Sequence, residues 1–339
     1  MKKRMFLFLI LILIAGCSSE ETIEEPRAEE GLIDTSKPYE RFYSDDSPFN
    51  QKIPSHPEID PNSDLMIGSL KEAGMGENLI TVSIGSWTTT LFYADENTPR
   101  YDVKLTAYWS PYKKLLNVPI PDNAVQDPSD DGSMVVIDLS TGYEYDFWQA
   151  RKTKNGWQAS WANRIKLDSD GVFEKGTSAR GSGFALPAGL IRAEELQAGR
   201  IEHALFFTYT FTKSNGPVPP ATESDGQSKR DDAIPEGARL QLDPNLDLDI
   251  LGLTPAEKII AKALQEYGMF LGDSGGGVEL EAINPLSYKS NPYKQYFETD
   301  KEGLYYTRNI PLDKFRVLKL PPQYEQETEV MEPGIYSNE

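Results

Sequence analysis

Apolar and polar residues alternate with a period of two along most of the chain, the signature of β-strands with one covered face. The pattern runs from Leu79 to Tyr93 with a break at Gly85-Ser86. It recurs over residues 101–109, 134–139, 143–152, 156–167 and 200–211. Turn residues punctuate it at Asp130-Asp131-Gly132, Thr141-Gly142 and Lys154-Asn155-Gly156, where the Asn-Gly pair favours a tight hairpin. The period lengthens in "TPAEKIIAKALQEYGMFL". There Thr254 and Glu257 have capping-box spacing, Pro255 takes the first helical position, and Ile259, Ile260, Ala263, Leu264 and Tyr267 form one apolar stripe. Gly268 or Gly272 can end that helix, and "RAEELQAG" reads as a shorter helical turn stopped by Gly199. Beyond Pro285 the chain is Tyr-rich and loop-like, with a last edge strand in "DKFRVLKL". These elements predict a mainly β protein. The expected form is a β-sandwich or jelly-roll-like domain over residues 38–320, with one packed amphipathic helix and a short second helical turn. The acidic residues 321–339 are expected to fray.

The first residues change the picture from fold to location. "MKKRMFLFLILILIAGC" places Lys2, Lys3 and Arg4 before an apolar run too short to span a bilayer, and ends in Ile14-Ala15-Gly16-Cys17. This resembles a bacterial lipoprotein signal over residues 1–16, which implies cleavage before Cys17 and lipidation of its thiol. Cys17 is the one cysteine, so no thiol remains for a disulfide or a Cys nucleophile. Residues 17–37 are acidic and nearly devoid of apolar side chains, and read as a disordered tether. The expected location is the extracytoplasmic side of a membrane, held by the lipid alone.

Removing the leader takes the formal charge from −19 to −22, because it carries three basic residues and no acid. So acidic a chain repels nucleic acid, and nucleic acid is excluded as a partner. Walker A, H-E-x-x-H and G-x-G-x-x-G patterns are absent. "GDSGGG" at 272–277 looks like the nucleophile phrase of chymotrypsin-like proteases, but it follows a helix and lacks that family's His context. Two histidines are too few for a multi-histidine zinc site. "DPSDDG" and "DPNLDLD" offer oxygens without EF-hand spacing, so no cofactor is expected, with a structural envelope protein whose acidic face binds Ca²⁺ as a further alternative.

Two constellations carry candidate chemistry. His203 interrupts the apolar strand "RIEHALFFTYTF", either as a packed histidine or as a general acid/base on an aromatic sheet face. In "YEYDFWQARK", Glu144, Asp146 and Trp148 share one face, with steps of about 7 Å. Two carboxylates beside an aromatic platform suit glycoside chemistry; the bland alternative is a solvated strand face.

The phrases "DDGSMVVIDLSTGYEYDFWQA", "LPAGLIRAEELQAGRIEHALFFT", "VPPATESDG", "IPEGARLQLDP" and "IAKALQEYGMFLGDSGG" occur in this order. As a series they resemble a group of secreted bacterial proteins of unassigned function, often encoded beside carbohydrate-degrading enzymes. The matching polar positions are Asp146, Trp157, Arg192, Glu195, His203 and Asp273; where that group often reads Asp-Asn-Gly, this chain reads Asp273-Ser274-Gly275. No established activity comes with the resemblance; the expected function is a polysaccharide-acting protein, hydrolase or lyase. In that reading His203 works with Asp146, Asp273 or Glu195, and Arg192, Glu144, Trp148 and Trp157 hold the glycan. The rival is a non-catalytic glycan-binding or structural envelope lipoprotein.

Overall fold

A computed structural model describes residues 30–37, 41–74, 79–174, 178–324 and 334–339. The expected signal peptide, the Cys17 lipidation site and most of the tether lie outside the described residues.

Sixteen strands and three α-helices are seen among them. The first half contains α1 (Ser63–Ala73), β1 (Ile80–Ser83), β2 (Thr90–Ala94), β3 (Arg100–Leu105), β4 (Lys114–Pro119), β5 (Met134–Asp138), β6 (Tyr143–Trp148), β7 (Arg151–Thr153), β8 (Gly156–Ala159) and β9 (Trp161–Lys166). The second half contains α2 (Ala193–Ala198), β10 (Leu205–Tyr209), β11 (Arg239–Leu242), α3 (Pro255–Glu266), β12 (Met269–Ser274), β13 (Glu279–Glu281), β14 (Leu304–Thr307), β15 (Phe315–Val317) and β16 (Tyr336–Ser337). The protein is mainly β, as the period-two pattern predicts. No helix among the described residues is long and apolar enough to cross a membrane.

Three mixed sheets are formed, with orders β14-β1-β13-β10-β12-β11-β15, β16-β4-β3-β8-β7 and β2-β5-β6-β9. The four-stranded sheet is the middle layer of a sandwich, and its sequence says why. All five residues of "MVVID" in β5 are buried. Val135 and Ile137 join the core that contains Ile80, Val82, Leu205, Leu240 and Leu280 of the seven-stranded sheet. Met134 and Val136 join the core that contains Val103, Leu115 and Trp157 of the five-stranded sheet. A strand apolar on both faces needs a layer on each side.

α3 forms as its signals predict. Thr254 Oγ1 accepts from Glu257 N at 3.2 Å while Glu257 Oε2 accepts from Thr254 N at 2.8 Å. Such a cap is worth about 1 kcal/mol. The helix ends at Glu266, so the apolar residues after it are not its last turn but β12. The Asn155-Gly156 hairpin joins β7 to β8, with Gly156 at φ 110°.

Several expectations are corrected. α1 escapes the sequence pattern because Gly68 interrupts it and Leu65 puts an apolar side chain on the solvent face, 52% exposed. The tether ends sooner than residue 37: Ile33 is buried and its N–H donates to Ser287 O at 2.9 Å. The terminal residues 334–339 do not fray. Tyr336 pairs with Leu115 of β4, and its ring stacks on Tyr112 at 4.7 Å. The region after Pro285 contributes β14 as well as β15.

Candidate functional site

Parallel pairing of β10 with β12 carries a register shift between Phe207 and Thr208, so that Thr208 lies opposite Asp273. The extra residue is Gly272. A Cβ there would sit 2.4 Å from the Phe206 ring, so only glycine fits. A bulge re-aims the side chains that follow it, and here Asp273 turns into a cleft. This explains "GDSGGG": the glycines form a bulge and a turn at the cleft edge.

The cleft has a volume of about 710 Å³. Four tryptophans line it, Trp87, Trp109, Trp148 and Trp161. Trp87 and Trp109 are about half exposed, at 46% and 49%, and Trp109 packs on the enclosed Trp161 with ring centroids 5.3 Å apart. Trp87 is held in the left-handed region, φ 56°, by Asp127. That buried carboxylate accepts from Trp87 N at 3.2 Å, Thr88 N at 3.4 Å and Asn284 Nδ2 at 2.9 Å. A non-glycine residue with this backbone costs about 1–3 kcal/mol and persists where its surroundings enforce it, commonly at binding sites.

The same cleft is lined by Asp131, which accepts from Trp148 Nε1 at 3.4 Å, and by Glu223, Asp225, Asp273, Glu279 and Glu281, with Arg180 as the one basic lining residue among the described residues. Arg180 is buried. Its guanidinium lies 3.6 Å from the Phe206 ring centroid, and its Nη2 donates to Glu281 Oε2 at 3.4 Å. Burial pushes the Glu281 carboxyl up to about 8 even against the Arg180 charge, and Asp273 adds to the rise. Burial also raises Asp273 to about 7, with Asp225 adding to it and Arg180 opposing, and Glu223 to about 7. Glu279 is raised by burial, with Ser83 opposing. Glu279 and Glu281 are two residues apart on β13, on one face.

The residues singled out from sequence divide into two groups. Asp273 and Trp148 line the cleft. Glu144 and Asp146 are fully enclosed. Glu144 accepts from Tyr43 Oη at 3.0 Å, and Asp146 Oδ2 from Leu186 N at 2.8 Å, behind the cleft wall. Burial and the adjacent Asp146 charge drive Glu144 well above its ordinary value, and burial raises Asp146 to about 6. The expected open acid face of β6 is thus corrected: both faces of the strand are covered, because it belongs to the middle sheet. Trp157 is also no platform, being 3% exposed in the core between the four- and five-stranded sheets.

His203, Glu195 and Arg192 form their own network outside the cleft, beside a crevice of about 20 Å³, room for roughly one water. His203 precedes the strand rather than lying within it. Its Nε2 is 3.0 Å from Glu195 Oε1 and its Nδ1 2.9 Å from Ala204 O. The contact with Glu195 is an ion pair when the ring is protonated. Burial works against that charge, but the Glu195 carboxylate outweighs it and the pKa is raised. Glu195 uses its other oxygen to cap α2, accepting from Arg192 N at 3.0 Å. Arg192 is buried, with its guanidinium 4.4 Å from the Phe42 ring centroid and Nη2 3.1 Å from Glu194. It is packed inside, not presented to a substrate.

The Ca²⁺ segments also resolve into turns. Asp127 of "DPSDDG" is the clamp under Trp87, while Asp243 and Asp247 of "DPNLDLD" accept from the N–H two residues on, each at 2.9 Å. The carboxylates gathered closely enough to hold an ion lie elsewhere, at Asp225, Glu236 and Asp273.

Sequence reasoning missed Arg180, Glu223, Asp225, Glu236, Glu279 and Glu281. The run "GVELEAI" held a signal: two acids in period two inside an apolar strand is what a cleft wall looks like. Arg180 sits in a loop with no periodicity. Comparison with known proteins finds no family model, curated protein or solved structure that matches this chain.

Proposed function

We propose that this is a lipid-anchored extracytoplasmic protein that hydrolyses a neutral polysaccharide in the tryptophan-lined cleft. The observation that carries the reading is that half-exposed indoles and a bank of carboxylates line one cleft. Trp87 and Trp109 offer flat apolar faces for pyranose rings. Glu281 gives its proton to the leaving oxygen. Glu279, two residues away on the same face of the strand, activates water. Six carboxylates against one guanidinium disfavour a polyuronate, and with it the lyase chemistry that needs one.

The test is a screen of neutral and acidic polysaccharides for new reducing ends. Trp109→Ala should weaken affinity for the glycan that scores by about tenfold, the loss of one buried aromatic anchor. Unchanged affinity in Trp109→Ala would remove the platform. A glycan that binds in the cleft but is never cut would instead support the non-catalytic binder, which the same half-exposed indoles also suit. For the anchor, Cys17→Ser should move the protein from the membrane to the soluble fraction, since Cys17 is the one cysteine that can be lipidated. Continued membrane fractionation refutes lipidation there.

A further inference from the structure

At the edge of the cleft Asp225, Glu236 and Asp273 each place a carboxylate oxygen within 4.8 Å of the others. They come from distant parts of the chain: Asp225 and Glu236 from the loops before β11, Asp273 from the bulge of β12. Asp225 is exposed, Asp273 half-buried and Glu236 enclosed. Clustered acids alone say little, since carboxylates can share protons. A second observation decides the matter. Glu236 is 0% exposed, its Oε2 accepts from Asp225 N at 3.1 Å, and its Oε1 has no hydrogen-bond partner. An ionised Oε1 wants a donor or a cation, and a protonated one wants an acceptor; it has neither.

The orphaned oxygen points at the other two acids. A Cβ built on Gly181 would lie 3.2 Å from Glu236 Oε1, 3.1 Å from Asp273 Oδ1 and 3.1 Å from Asp225 Cγ. All three carboxylates therefore converge on the space that glycine at 181 leaves open. Nearby charge does not fill the need, because Arg180 directs its guanidinium to Glu281 and Phe206. Ser274 Oγ donates to Asp225 Oδ1 at 2.7 Å and fixes that carboxylate's orientation.

We propose that Asp225, Glu236 and Asp273 bind a hard divalent cation, Ca²⁺, at the edge of the cleft. Oxygen donors without histidine or thiolate select Ca²⁺ or Mg²⁺ over softer ions. Three carboxylates carried by two loop positions and a strand bulge suit the irregular, six- to eight-oxygen shell of Ca²⁺ better than the strict octahedron of Mg²⁺. With Asp225 exposed, the outer face of the ion is open to water or to a hydroxyl in the cleft. The site stands whether or not the cleft cuts glycans, and its readout involves no glycan.

The experiment uses the mature full-length chain stripped with a chelator and titrated calorimetrically with CaCl₂ and, separately, MgCl₂. One Ca²⁺ per chain is expected, with a Kd of about 10⁻⁴–10⁻³ M, as in extracellular modules. The melting temperature should rise with CaCl₂ and saturate. Glu236→Gln should abolish binding. Asp225→Asn, at an exposed position that does not threaten folding, should weaken it at least about tenfold by removing a charged ligand. No saturable heat, equal affinity for Mg²⁺, or parental binding by Asp225→Asn would each overturn the proposal.

Discussion

Glu281→Gln should lower the rate of glycan cleavage by about 10²–10⁴, the usual contribution of one general acid, while leaving glycan affinity and the melting temperature near parental values. The new side chain is nearly isosteric, and its amide oxygen can still accept from Arg180, so the fold has no reason to respond. What is lost is the transferable proton. Burial holds the carboxyl at about 8, so at neutral pH the parent carries that proton in most molecules. The pH dependence follows with a definite sign. A general acid works only when protonated, so the parental rate should fall as pH rises through about 8, and the residual rate of Glu281→Gln should lack that limb. Measuring kcat and KM for both proteins across this range separates the roles. A KM rise with kcat intact would make Glu281 a binding residue and return the protein to the non-catalytic glycan binder. Full activity in the variant would move the acid elsewhere in the cleft.

The sequence pattern carried the architecture further than the site. Period-two runs and the Thr254–Glu257 box depend on neighbours in the chain, and β5, β6, β9 and α3 formed where those neighbours said. The middle-layer position of β6 was not legible. It depends on distant segments covering both faces: β3 and β8 pack on Tyr145 and Phe147, while Tyr43 and Leu186 close over Glu144 and Asp146 on the face expected to meet a ligand. The same limit hid the cleft. Arg180, Glu223, Asp273 and Glu281 are far apart in the chain and converge only through the β10–β12 register shift and the loop before Gly181. Asp273 and Trp148 were singled out among the expected site residues for reasons of phrase and alternation, but the partners they meet are set by topology. His203 misled for a physical reason: a histidine in an apolar run looks equally anomalous whether it faces a cleft or a buried acid.

The buried acid makes His203→Ala the substitution with the largest expected effect on stability. It removes the imidazole that lies 3.0 Å from the carboxylate of Glu195, which is 0% exposed. Breaking a buried pair from one side costs about 3–5 kcal/mol, because the remaining charge is uncompensated. The nearby Arg192 places the expectation at the lower end, ~3 kcal/mol. The folded pKa of His203 lies above its ordinary value. Its ionic contribution is therefore fully present below the unfolded value of about 6.5 and is lost as pH rises through the folded value. The gap between parent and His203→Ala in urea should accordingly be widest below pH ~6.5 and narrow as pH rises through the folded value, leaving only the cost of the cavity. The double variant His203→Gln, Glu195→Gln should recover much of the loss. It keeps a hydrogen bond between the two side chains and an oxygen to cap α2, and buries no charge. Assayed where His203→Ala is still folded, glycan cleavage per molecule should equal the parent's, since His203 lies outside the cleft. A parental unfolding midpoint combined with a rate loss of about 10²-fold or more would reverse the assignment and make His203 the acid/base.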